Sequence, residues 1–195
     1  KALQIHELEG FEIVRRALDA RRNRPRYKYT VEFELEQSVA DKLISAKKVE
    51  AVQRKNRERW RLKTPPDGPR PVIVGAGPAG LFAALTLAEG GWPPIIIERG
   101  KAVKERGRDV SRLYSKGELN PESNVCYGEG GAGTYSDGKL YTRVNDPRFR
   151  HLLRALVTNG APERILIDTR PHIGTDKLIK LLRSLRAYLE SLGAE

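Results

Sequence analysis

The chain has one cysteine, Cys126, no methionine, two tryptophans and three histidines among its 195 residues. A single thiol excludes an internal disulfide framework and points to a reducing compartment. His6, His151 and His172 show no metal-ligand spacing with that cysteine or with one another, so no metal site is expected. No signal-peptide pattern is visible. The lack of methionine predicts that the chain does not start at its own initiator, so the expected setting is cytoplasmic, or plastid if a leader has been removed. Long apolar runs are scarce. The longest uncharged stretch, Pro71 to Ala88, is long enough on hydropathy for a membrane span, but four of the six residues from Gly75 to Gly80 are glycine or proline. No span is therefore expected.

What is present fits a folded protein, with 39% hydrophobic and 31% charged residues excluding disorder and fibres. The net charge of +11 is uneven. Residues 1–66 carry 17 Lys and Arg against 10 Asp and Glu, a net of +7, so the basic bias is mainly N-terminal. A solvated surface is its ordinary explanation; an acidic or nucleic-acid partner is the lesser expectation.

The most informative segment is RPVIVGAGPAGLFAALTLAEGGWPPIIIER, beginning at Arg70. The β-branched run Val72–Val74 predicts a buried strand ending at a turn. Gly75, Gly77 and Gly80 then form GxGxxG: the first allows the turn, the second lets the backbone approach a pyrophosphate, and the third lets helix pack on strand. Ala79 to Glu89 reads as a helix that stops at Gly90 and Gly91, and its N-terminus offers free amides and a positive dipole end to an anion. A second strand, Ile95 to Ile97, ends in Glu98, 18 residues after Gly80, near the distance at which a carboxylate closes a ribose site. Strand, glycines, helix, strand and acid in this order predict a dinucleotide-binding βαβ unit.

Upstream, Phe11 to Ala20 and Tyr27 to Glu36 read as strands joined by a basic turn, Arg21 to Arg26, and a helix is predicted over Ser38 to Val52 with Ser38 as N-cap. Trp60 to Leu62 reads as a short strand. These elements make residues 1–66 a small basic α+β domain. Thr64 to Pro71, TPPDGPRP, marks the linker, placed at 67–71, and residues 72–195 form the partial dinucleotide-binding domain. Downstream, a helix is predicted around Val103 to Tyr114, another starts at Asp146 and Pro147, and Ile165 to Ile167 reads as a strand. A terminal helix runs from Asp176 to Leu192 with Thr175 as N-cap, reaching Gly193 with two residues left, which predicts a fragment.

Between these elements, Tyr127 to Tyr141 holds five glycines among small polar residues. That density predicts a cofactor-lining loop, because it lets main chain approach a flat or charged ligand. Lys139 is a candidate to neutralise phosphate or a reduced cofactor, although a lone lysine is more often a solvated charge. Cys126 is a weak redox candidate without a second cysteine, and His172 a weak proton donor.

The motifs GAGPAG, ERG with Arg106 following, NPESNVCYGEGGAGTYSDGKLYT and PHIGTDKL resemble the uncharacterised bacterial and plastid FAD-dependent dehydrogenase-like proteins. GEGGAGTYSDGKL and PHIGTDKL are the specific ones, and FEIVRRALDAR from Phe11 resembles that family's N-terminal domain. The resemblance spans nearly the whole chain. It implies a Rossmann-like, glutathione-reductase-type FAD domain, incomplete here, preceded by a ferredoxin-like α+β domain. In such a domain Gly75, Gly77, Pro78, Ala79 and Gly80 would surround the pyrophosphate, Glu98 would hold the adenosine ribose, and Arg99 and Arg106 would lie along the nucleotide. Gly130, Gly131, Ala132, Gly133, Thr134, Asp137, Gly138 and Lys139 would approach the pyrophosphate or the isoalloxazine. The expected function is an FAD-dependent oxidoreductase with NAD(P)H or a small organic substrate as electron source. Two alternatives are direct NAD(P) binding at the same fingerprint, where Glu98 disfavours a 2′-phosphate, and a flavin-fold protein that binds RNA through the hairpin Arg15 to Lys28.

Overall fold

The computed structural model of the chain describes residues 10–21, 23–52, 68–136, 138–140, 146 and 148–195. The expected strand at Trp60 to Leu62, with His6, Asp137 and Pro147, lies outside these residues. The chain divides into two compact units, Lys1–Arg59 with Leu166–Thr169, and Trp60–Ile165 with Arg170–Glu195.

In the first unit, β1 (Glu12–Asp19) and β2 (Arg26–Glu32) pair antiparallel, with an irregularity in register between Ile13 and Arg15. β2 stops at Glu32, short of the expected Glu36, although the alternation of Tyr27, Tyr29 and Val31 continues through Phe33 and Leu35. Helix α1 covers Gln37–Ser45, with Glu36 rather than Ser38 at its N-cap. It ends seven residues before the predicted Val52 because Lys47 turns left-handed (φ 53°) and the Lys48 amide bonds back to Leu43 O at 2.9 Å.

The expected strand Ile165 to Ile167 is also corrected. Residues Glu163–Leu166 form a 3-10 helix behind Pro162, whose carbonyl accepts from the Ile165 amide. Strand-like pairing falls two residues later. Arg16 N donates to Ile167 O and Thr169 N donates to Arg16 O, so Asp168 pairs in parallel with Arg16. The Arg16 guanidinium binds the Asp168 carboxylate at 2.6 Å and lies over the Tyr27 ring. The described elements of this unit are thus a hairpin and one helix, with a third segment on the free side of β1; a ferredoxin-like fold would need four strands and two helices.

The second unit is built on a βαβ turn. β3 (Val72–Val74) and β4 (Ile95–Ile97) pair in parallel, joined by α2 (Pro78–Glu89). Both strands and the helix fall where the sequence predicts them, with Pro78 as the first helical residue, where its missing amide costs nothing, but β3 is not the buried strand expected: Val72 and Val74 are exposed and Ile73 alone packs against the core. Beyond Gly91, the Trp92 amide bonds back to Leu87 O and turns the chain into β4. Next come α3 (Val103–Lys116), α4 (Arg148–Thr158) and α5 (Thr175–Ser191). Gly174, not Thr175, is the N-cap of α5, because the Thr175 hydroxyl donates across to Ser136 O. Asp146 accepts the Arg148 amide at the start of α4, and Arg148 holds its carboxyl down at about 2.

After α5 the chain returns to the sheet. Glu195 N donates to Pro94 O, and Ile96 N donates to Glu195 O, which sets Glu195 beside Ile95 in parallel register. Arg70 ties this return to the entry of β3: its guanidinium donates to the carbonyls of Pro93, Pro94 and Gly193 and pairs with Glu195. The core lies between α2 and α5, where Leu81, Ala84, Leu85 and Ala88 meet Leu182, Leu185 and Leu189, with Val103 of α3 against them. Among the described residues, no helix is long and apolar enough to cross a membrane.

Leu85 is 1% exposed at the centre of that layer. Leu85→Ala is expected to cost about 2–5 kcal/mol, read as a lower midpoint in chemical denaturation.

Candidate functional site

The site begins where β3 ends. Gly75 sits at φ +98°, and its amide donates to Ile97 O, which closes the strand pair and turns the chain toward α2. Gly80 lies one turn into the helix, directly against this corner. A Cβ there would fall 1.9 Å from Gly75 O and 3.3 Å from the Ile73 side chain, so the third glycine is required by packing within the chain. Gly77 differs: its φ of −76° suits any residue, and among the described residues beyond its chain neighbours no atom lies within 4 Å of the place its Cβ would take. The first amide bonded within the helix is that of Leu81, to Gly77 O, so the amides of Ala79 and Gly80 precede the ladder at its positive end.

The glycine-rich segment lies on this corner. Gly130 N donates to Ala76 O at 2.8 Å, and a Cβ on Gly131 would approach Pro78 Cδ at 3.2 Å and Gly77 Cα at 3.4 Å. Gly133, like Gly77, faces open space with an ordinary backbone. Ala132 is exposed and Thr134 buried, its amide on Gly131 O. Glu98 reaches the same corner from the end of β4: one carboxylate oxygen accepts from Ala76 N at 2.7 Å and the other from Gly100 N at 2.8 Å. A carboxylate has about four acceptor positions, so capacity for hydroxyl donors remains.

Arg106 corrects an expectation. Rather than lying along a nucleotide, its side chain is fully buried and its guanidinium donates to the carbonyls of Asn124, Val125, Gly128 and Glu129. Burial lowers its pKa from the ordinary value, and the Tyr135 ring stacks over it while the Tyr135 hydroxyl donates to Val103 O. Arg99 faces outward, bound to Glu122 and over the Tyr127 ring. Cys126 is exposed, in a turn whose amides bond the Asn124 side chain.

Lys139 and His172 meet. They form an antiparallel bridge in which Leu140 N donates to Pro171 O and Ile173 N to Gly138 O. This is the non-hydrogen-bonded type of pair, the closer of the two, and it sets both side chains on one face. Gly138 is pressed against the Gly174 backbone, where a Cβ would fall 2.6 Å from Gly174 N. Among the described residues, no cluster of three His, Cys, Asp or Glu is placed to hold a metal ion.

Sequence reasoning missed three supports. Glu129 is buried and accepts the Val103 amide at 2.6 Å, serving as the acid at the N-terminus of α3 from 26 residues away. Arg186 of α5 stands 3.6 Å from that same carboxylate. Asn120 and Asn124 each cap the turn that follows them, a pattern the N-P-E-S-N spacing could have signalled.

Comparison with known proteins bears on this corner directly. Residues 70–107, from the entry of β3 into α3, match the family model described as FAD binding domain. The match supports a family of FAD-dependent oxidoreductases. The chain is also 39% identical over 196 residues to an uncharacterized protein of Clostridium beijerinckii, a match that covers 97% of this chain and 36% of that protein. The chain therefore spans about a third of the length of the curated relative it matches.

Two outcomes follow from the supports. Arg106→Leu leaves four loop carbonyls without their donor and is expected to cost about 3 kcal/mol or more in chemical denaturation. The Lys101 ammonium, 2.8 Å away, holds the buried Asp109 carboxyl below the usual carboxylate range. A lowered folded pKa gives stability above the unfolded value that is lost as pH falls. Asp109→Asn should therefore lower the thermal midpoint at neutral pH, with the gap to wild type closing below about pH 4.

Proposed function

We propose that this chain supplies the FAD-binding part of an FAD-dependent oxidoreductase whose electron source is NAD(P)H or a small organic molecule. Gly77 carries the reading. Neither its backbone angles nor any neighbour among the described residues explains a glycine there, and it opens onto the positive end of α2 beneath the glycine-rich loop. A bound pyrophosphate explains it, because a Cβ would occupy the space the phosphates need.

In this reading the α2 amides and dipole bind the pyrophosphate, with Pro78 and Ala79 at its edge, and Glu98 accepts from the adenosine ribose hydroxyls. Gly130, Gly131, Ala132, Gly133 and Thr134 present main chain to the cofactor, and Arg99 lies beside the adenosine end. When bound, FAD supplies the hydride and electron transfer. Lys139 and His172, side by side, serve the flavin end with Asp137 and Gly138. There the Lys139 ammonium would offset negative charge on the cofactor, and the His172 imidazole would offer a ring nitrogen for hydrogen bonding or proton transfer. Glu98 disfavours a 2′-phosphate at the fingerprint, and with FAD seated there a nicotinamide donor would bind elsewhere in the whole protein.

The test is the absorbance spectrum of the whole purified protein, with chromatography of whatever cofactor heat releases. A flavin spectrum and released FAD are expected. A colourless protein that resists reconstitution with FAD, or one that releases NAD instead, overturns the reading. Gly77→Val should stay folded by circular dichroism and retain only a small fraction of the FAD; full retention would overturn the fingerprint assignment.

A further inference from the structure

The hairpin of the first unit has two unlike faces, set by its register. Ile13 pairs with Val31, Arg16 with Tyr29 and Leu18 with Tyr27, which puts the two tyrosines and the aliphatic side chains on one face. The opposite face carries Arg15, Lys28 and Arg26, and the turn adds Arg21 and Arg24. From Arg15 to Lys28 the sequence holds seven basic residues and one acid, Asp19.

That acid is already committed. Asp19 binds the Arg21 guanidinium at 2.8 Å and the Lys28 ammonium at 3.3 Å, which holds its carboxyl well below the usual range. Arg24 and Arg26 have no carboxylate partner among the described residues. Together with Arg21, Lys28, Asp19 and Tyr27 they line an open groove at the end of the hairpin. Four cations around one neutralised acid form a site for a repeated anion.

The rings beside that groove are uncovered. Tyr27 is 58% and Tyr29 52% exposed, with centroids 6.3 Å apart, although tyrosines on a sheet face ordinarily pack under something. Arg16 lies over Tyr27 but is tied to Asp168, so it keeps the ring in place on its inner side. Tyr27 lines the groove and Tyr29 adjoins it on the tyrosine face, so a strand passing round the end of the hairpin meets cations and then rings, which suits the phosphates and bases of a single-stranded nucleic acid. An acidic peptide would use the cations and leave the rings idle. A membrane would be met first by the turn, Ala20 to Pro25, which carries no large apolar side chain.

The geometry points to this hairpin as a binding surface for single-stranded nucleic acid, phosphates in the groove of Arg21, Arg24, Arg26 and Lys28 and bases on Tyr27 and Tyr29. This surface is separate from the FAD reading and does not depend on it.

The experiment titrates the full chain into fluorescein-labelled oligouridylate and oligodeoxythymidylate of about 10 nucleotides, followed by anisotropy at about 50 mM and about 200 mM salt. Binding is expected at the lower salt, weakening roughly tenfold or more at the higher, and a preference between the two oligomers identifies RNA or DNA as the ligand. Arg24→Ala with Arg26→Ala should weaken binding about tenfold and make it less salt-dependent. Tyr27→Ala with Tyr29→Ala should weaken it by a similar factor and leave the salt dependence unchanged. All four positions are exposed, and circular dichroism checks that the variants fold. No anisotropy change at the lower salt overturns the proposal. So does binding that both double variants retain, or sedimentation with phosphatidylserine vesicles lost in the arginine variant while neither oligomer binds.

Discussion

The buried guanidinium of Arg106 is the contact on which the candidate site rests. Four carbonyls of a segment with no regular hydrogen-bond ladder converge on it, and without it that segment would have to find other donors in an apolar interior. The consequences spread from there. Gly128 has to be glycine because a Cβ would fall 2.5 Å from Arg106 Cδ, and Gly107 because one would fall 2.8 Å from the hydroxyl of Tyr135, the ring stacked on Arg106. Glu129, held by its carbonyl to the guanidinium, turns its carboxylate to the first amide of α3. One residue later, Gly130 bonds Ala76 and sets the glycine-rich loop on the fingerprint. A cation on α3 thus fixes main chain across the fingerprint from behind.

This arrangement shows where the sequence was readable. The βαβ unit was legible because each step is local: β-branched strands, three glycines with distinct tasks, a helix of alanine and leucine, and an acid at the end of the second strand. The hairpin was legible from its alternation and basic turn. The failures are tertiary. Arg106 follows ERG in the pattern expected of a nucleotide contact, and only its burial among carbonyls 18 to 23 residues away gives it a different task. Thr175 has the residue type of an N-cap, yet its hydroxyl goes to Ser136, and Gly174 takes the cap. Ile165 to Ile167 has strand composition, but Pro162 starts a 3-10 turn there and passes the pairing to Asp168.

The two parts of the chain handle charge differently. At the fingerprint, the donors nearest Gly77 are main-chain amides and a helix end, and the charged side chain present, Glu98, is an acid that braces the loop. An anion bound there would be met by dipoles whose positions are already set, which would keep the ordering cost of binding small. On the hairpin the charges are long, exposed side chains around a committed aspartate. Such charges attract over about 10 Å, yield readily to salt and set the rate of encounter more than its geometry.

The return of the chain to β4 has a consequence for how the molecule is made. The segment matched as FAD binding domain ends at Gly107, but the helix that covers α2 is α5, and Arg70 bonds Gly193 across 123 positions. While residues 70–107 emerge from the ribosome, α2 has β3, β4 and Val103 to lie against but not Leu182, Leu185 and Leu189 of α5, and β4 lacks its partner Glu195 until residue 195 has been added. At about 5–20 residues per second, that leaves several seconds in which the fingerprint corner lacks the cover of α5. The layer over α2 is therefore completed last, by the far end of this segment.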